Sequence, residues 1–145
     1  MENKESNVKI ISVNNSVELS IPFIENPISA GFPSPAQDFL ETGIDLNKEL
    51  IAHPVSTFFG KVKGDSMKNA GIDDGDLIII DKSLTPKEGD VAVCFIDGEF
   101  TLKFIKKNSN CIWLVPANPK YRSIKVTEGN NFVIWGIVTF SIKKH

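Results

Sequence analysis

The dipeptide Asp97-Gly98 is all that separates two β-prone runs, Val91–Ile96 and Glu99–Ile105. A two-residue connection of this composition selects a type I′ turn, because Asp and Gly both tolerate positive φ, and such a turn commits its flanks to an antiparallel hairpin. Similar runs recur at short spacing: Thr57–Lys63, Leu77–Ile80, Ile112–Val115, Ser123–Val126 and Phe132–Ile142, the last interrupted by Gly136. Turn-forming clusters such as Asp74-Gly75-Asp76 and Pro86-Lys87-Glu88-Gly89-Asp90 bound them. Against these stands one helix candidate, Pro35–Glu41, with Pro35 near its first position and Gly43 as its stop. About seven short strands against one short helix predict a mainly β domain, a sandwich or barrel-like sheet.

Ahead of these strands the chain reads differently. Residues 1–30 carry two β-prone runs, Val8–Ile11 and Val17–Ile21, separated by Asn14-Asn15, and a proline-punctuated stretch runs from Pro22 to Pro35. This predicts an extended arm able to add strands to a sheet. Prolines and asparagines interrupt every amphipathic window there, so no helix-turn-helix fits before residue 30. Four of the 18 acidic residues and two of the 16 basic ones lie in the arm, which therefore holds the whole net charge of -2. A chain of this balance does not grip phosphates through a basic surface, and no direct sequence-specific DNA binding is expected. No window approaches the ~18 apolar residues of a membrane span, and the first residues lack a signal-peptide core, so a cytoplasmic protein without membrane attachment is expected.

Few side chains are suited to chemistry. Cys94 and Cys111 stand singly in apolar runs and read as buried, inert thiols. His53 precedes Pro54 in a turn and His145 is the last residue, so neither a zinc site nor a Ser-His-Asp triad is well served, and no metal is expected. Asp73, Asp74 and Asp76 lack calcium-loop spacing and read as a turn of solvated aspartates. Lys106 and Lys107 read as a strand end. Ser66 follows Gly64-Asp65 where a strand gives way to a turn, a place that suits a cap residue and equally a nucleophile beside free backbone N–H groups. Alternation along Phe100–Ile105 puts Lys103 on a face with Thr101 and Ile105, opposite Phe100, Leu102 and Phe104. A lysine desolvated in this way loses affinity for its proton and becomes a general base, whereas one on a half-exposed strand stays an ordinary cation. With no usable histidine, a Ser-Lys dyad is the nucleophilic arrangement this composition permits most readily.

Six groups of residues carry a resemblance: Gly31-Phe32-Pro33-Ser34-Pro35-Ala36, Ile44-Asp45-Leu46-Asn47, Gly64-Asp65-Ser66-Met67, Gly71-Ile72 with Asp74-Gly75-Asp76-Leu77, Asp97-Gly98-Glu99-Phe100-Thr101 with Lys103, and Pro116 with Asn118 and Tyr121. In this order, over about residues 28–142, the chain resembles the LexA/UmuD-type family of self-cleaving Ser-Lys peptidases, and the 37 positions between Ser66 and Lys103 agree with it. The resemblance implies a LexA/UmuD-like C-terminal peptidase domain of several short, mostly antiparallel strands with one or two short helices, preceded by an extended N-terminal arm. It also implies that Ser66 is the nucleophile, Lys103 the general base and Ala30-Gly31 the cleaved bond. Backbone N–H groups of Asp65 and Ser66 would form the oxyanion hole, and no cofactor is needed. Residues 1–30 are then a removable arm and 31–145 the peptidase-like domain. UmuD-type members more often carry cysteine where Ala30 stands, while alanine suits LexA-type cleavage.

The family's biology implies a homodimer of the SOS response. Its self-cleavage is stimulated by the RecA filament on single-stranded DNA, and its shortened form joins a UmuC-type polymerase subunit in error-prone translesion synthesis. Thirty residues before the cleaved bond leave no room for a repressor's DNA-binding domain. The alternatives are a non-enzymatic β-rich module binding a protein through its arm, a LexA-like repressor fragment, and, less favoured, a signal-peptidase-like enzyme.

Overall fold

A computed structural model of the chain describes residues 7–12, 20–24, 30–31 and 41–145. The chain divides into two compact units, one comprising the described residues up to Ser12 together with His53–His145, the other the described residues between Ser20 and Ala52.

The first unit is a sheet of eight strands: β1 (Asn7–Ser12), β4 (Thr57–Lys63), β5 (Leu77–Asp81), β6 (Val91–Ile96), β7 (Glu99–Asn108), β8 (Cys111–Val115), β9 (Ile124–Val126) and β10 (Phe132–Ile142). The spatial order is β1-β4-β5-β10-β6-β7-β8-β9, and every neighbouring pair is antiparallel. The hairpin between β6 and β7 turns on Asp97 and Gly98, whose φ angles of 48° and 86° have the sign a primed turn requires. β10 keeps its pairing with β6 past Gly136 through a register shift. A Cβ at this glycine would stand 2.5 Å from Ile80 Cγ2 of β5, so glycine is what lets β10 lie closely against that neighbour. The first β-prone run of the arm adds a strand to the sheet as expected, and its Val8 is buried in the body's core.

Strand alternation sends side chains into two apolar clusters. Val8, Val62, Ile78, Ile80, Val93 and Leu102 form one together with Met67 and Ile72. Ala92, Cys94, Ile96, Ile105, Leu114 and Ile137 form the other. Phe100 and Phe104 pack on the first cluster, as period two along β7 predicts.

The second unit pairs β2 (Ser20–Ile24) with β3 (Glu41–Asp45), which leads into helix α1 (Leu46–Leu50). The expected helix Pro35–Glu41 is not borne out where it can be seen. Most of it lies outside the described residues, but Glu41 opens a strand and Gly43 lies within that strand. The helix observed starts at Leu46, eleven residues after Pro35, because the Asp45 side chain accepts the Asn47 N–H at 3.0 Å and so caps it there. Ala30 and Gly31 form an exposed bend in this unit.

Candidate active site

Lys103 is 1% exposed and lies on β7 opposite Ala92 of β6, on the face lined by Cys94 and Ile105. Its register fixes its neighbours, since Thr101, two residues back on the same face, stands opposite Cys94. Lys103 Nζ donates to Thr101 Oγ1 at 2.7 Å and to Ser66 Oγ at 3.3 Å.

Ser66 reaches this amine from the other side of the chain. β4 ends at Lys63, and Gly64 takes φ 95° while its N–H donates to Asp74 Oδ1 at 2.7 Å, turning the backbone out of the sheet. The turn is then fastened at every residue. Asn118 Nδ2 donates to the Asp65 carbonyl at 2.9 Å and Tyr121 Oη to Asp65 Oδ1 at 2.5 Å. The Ser66 carbonyl accepts from Ala117 N at 2.8 Å, and Asn69 N donates back to the Ala117 carbonyl at 2.7 Å. Met67, fully buried, anchors the turn in the core. Ser66 itself has no exposed surface. A short 3-10 turn, Lys68–Ala70, follows and closes at Gly71 with φ 77°. The structure thus brings Ser66, Asp65 and Lys103 into one neighbourhood, and Ala30-Gly31 lies in the other unit.

Thr101, Asn118 and Tyr121 complete this neighbourhood, and the residue-level reading of the sequence assigns them no role. Thr101 was accessible to the same period-two argument that singled out Lys103. The hold of Asn118 and Tyr121 on Asp65 spans 53 and 56 positions, and no local pattern signals it.

The remaining candidates fall as follows. Burial pushes the Cys94 thiol up to about 12, so this cysteine is inert. Cys111 is half-buried, not buried as expected, because it opens β8 directly after the turn at Ser109-Asn110. The aspartate turn is likewise not uniformly solvated. Asp76 is buried, accepts from Asp73 N at 2.9 Å, and takes Lys143 Nζ at 2.7 Å, while Lys143 also meets Asp73 at 2.6 Å. Among the described residues no cluster of three or more His, Cys, Asp or Glu is arranged to hold a metal ion. His53 Nδ1 lies 2.6 Å from Asp81 Oδ2, which ties the start of the His53–His145 stretch to the end of β5. Lys106 and Lys107 are exposed at the end of β7. No helix among the described residues is long and apolar enough to cross a membrane.

Residues 22–139 match the family described as Peptidase S24-like. Protein SamA of Salmonella typhimurium strain LT2 is 41% identical over 128 residues, 88% of this chain and 89% of its own. Protein MucA of Escherichia coli is 40% identical over 128 residues, covering 87% of this chain and 86% of its own. A LexA repressor from Mycobacterium sp. strain KMS is 37% identical over 117 residues, which is 81% of this chain and 49% of the repressor.

Proposed function

The chain belongs to the Peptidase S24-like family, and from that premise we propose that it is a UmuD-type mutagenesis protein of the SOS response that cleaves itself at Ala30-Gly31. The observation that carries the reading is the contact of Lys103 Nζ with Ser66 Oγ at 3.3 Å, with both groups closed to water. Loss of hydration disfavours an ammonium and favours the neutral amine, the form able to take a proton from a serine hydroxyl. A nucleophile with no exposed surface is poorly placed to take peptides from solution, which favours a reaction on the chain's own segment.

The chemistry follows from these groups. Lys103 Nζ takes the Ser66 Oγ proton as Oγ attacks the Ala30 carbonyl carbon, and N–H groups of Asp65 and Ser66 receive the developing oxyanion. As the tetrahedral intermediate collapses, the Lys103 ammonium protonates the Gly31 nitrogen and the C–N bond breaks, leaving an ester between Ser66 and Ala30. Water, deprotonated by the regenerated amine, then hydrolyses the ester. Residues 1–30 leave and 31–145 remain.

In this reading the protein is a cytoplasmic homodimer whose cleavage is stimulated by RecA filaments on single-stranded DNA and whose shortened form joins a UmuC-type polymerase subunit. Kinship with SamA and MucA, at 41% and 40% identity over most of each chain, supports this reading. The test is incubation of the purified chain with RecA filaments, followed by N-terminal sequencing of the product. A fragment beginning at Gly31 is expected, and a product beginning elsewhere, or none, defeats the assignment.

A further inference from the structure

Strand β1 precedes the Ala30-Gly31 bond, so cleavage there cuts it from the body whose sheet it completes. We propose that self-cleavage opens the outer edge of β4 as a docking site for an extended segment of a partner protein carrying an apolar-acidic-apolar triplet. The proposal rests on the cleavage reading above and deepens it, because it names what the shortened chain gains.

β1 shows what the site accepts. Among the described residues it is the terminal strand of the sheet and pairs with β4 alone, from Asn7 opposite Lys63 to Ser12 opposite Phe58. Val8 enters the main core and Ile10 packs against it. Their place is prepared by Gly60, opposite Ile10, where a Cβ would lie 2.6 Å from Val8 Cγ1 and 3.1 Å from both Ile78 Cγ1 and Ile80 Cδ1. The missing side chain is a slot that branched apolar groups of an added strand fill.

The match in shape is not a match in charge. Lys9, between the two apolar residues, stands directly opposite Lys61. Like charges facing each other across an antiparallel pair destabilise it. A groove of about 450 Å³ at this edge is lined by Lys9, Lys61 and Lys63 with Asp74, whose Oδ1 is engaged by the Gly64 N–H. None of the three lysines forms an ion pair among the described residues. β1 is thus a shape-matched but charge-mismatched occupant, kept in place by covalent attachment, which supplies a high effective concentration. Cleavage removes that attachment. The edge of β4 then presents unpaired N–H and C=O groups, the arrangement that recruits a further strand. An occupant with Glu or Asp at the Lys9 position converts repulsion from Lys61 into attraction. Nucleic acid fits less well, because the slot over Gly60 calls for a branched apolar side chain in step with a backbone ladder.

The experiment places the recognition sequence of a site-specific protease at residues 26–30 of the full chain carrying Ser66→Ala, so that cutting does not depend on the dyad. A failed docking result therefore leaves the self-cleavage reading intact, and a failed self-cleavage leaves docking open to this assay. Peptides of residues 5–14, with the native sequence, with Lys9→Glu and with Val8→Lys, are titrated into uncut and cut chain. The cut chain is expected to lose its N-terminal fragment on gel filtration and to bind the native peptide. It should bind the Lys9→Glu form about threefold tighter or more at low salt, and the Val8→Lys form not at all. The uncut chain should bind none of them. Co-elution of the fragment with the body, unfolding of the body on cutting, equal binding by cut and uncut chain, or binding of a single-stranded oligonucleotide in place of the peptides would overturn the proposal.

Discussion

Lys103 Nζ donates a 2.7 Å hydrogen bond to Thr101 Oγ1, two residues back on its own strand. A neutral amine has two N–H groups and one lone pair, so giving one N–H to Thr101 helps fix the direction of the lone pair. Thr101→Val keeps the shape and deletes the acceptor. Self-cleavage is expected to slow by about tenfold or more, since losing a buried hydrogen bond costs about 1–3 kcal/mol. Thr101→Ser should retain most of the rate. Equal rates for the Val and Ser variants, followed by gel electrophoresis over time, would show that Thr101 does not position the amine.

Ser66→Ala and Lys103→Met should each abolish cleavage without loss of the fold. For Lys103→Met the direction of the stability change is also informative. Replacing a buried amine, 1% exposed in the chain, by an apolar group of similar length removes a desolvation cost. The variant should unfold at the same or a higher urea concentration than the parent. A marked loss of stability would mean that the amine's hydrogen bonds matter more than its desolvation.

Because the base acts only when unprotonated, and burial weakens a lysine's hold on its proton, self-cleavage without RecA should accelerate as pH rises from neutrality and level off before 10, about the ordinary value for lysine. Lys103→Arg provides the contrast, since a guanidinium stays protonated throughout that range and should be inert at every pH. Cleavage by the arginine variant at high pH would remove Lys103 from the role of base.

The strands were legible because their signals are local. Thr57–Lys63 and Val91–Ile96 are read from sequence with the bounds the structure gives them, and Asp97-Gly98 fixes the hairpin between β6 and β7 without outside help. Pro35 and Gly43 have the residue types of helix ends and point to a helix earlier than the one observed at Leu46–Leu50. Its start is instead set by the Asp45 side chain bonding two residues ahead. Lys103 and Thr101 follow from period two on one strand. What holds Ser66 does not, because Asn118, Tyr121 and Ala117 reach it from a loop more than 50 positions away, and the pattern of a strand says nothing about such a loop. The burial of Asp76 was missed for the same reason, its partner Lys143 being 67 positions distant.

The hydrogen bonds around Asp81 predict how the fold fails in acid. Burial, at 3% exposure, pushes this carboxyl up, but donors from Ser83, His53 and Ser56 outweigh burial and hold it at about 2, below its ordinary 3.8. A carboxyl depressed in the folded state contributes stability that is present above the ordinary value and is lost as pH falls from about 4 toward 2. The size is about 2 kcal/mol at neutral pH. Asp81→Asn should therefore unfold at lower urea than the parent at pH 7, and the gap should close as both are measured toward pH 2. Since Asp81 ends β5, opposite Thr57 and Ile137, the loss should also appear as faster amide exchange at those two neighbours. A gap that persists unchanged at pH 2 would mean that Asp81 stabilises the strand end by packing and not by its charge.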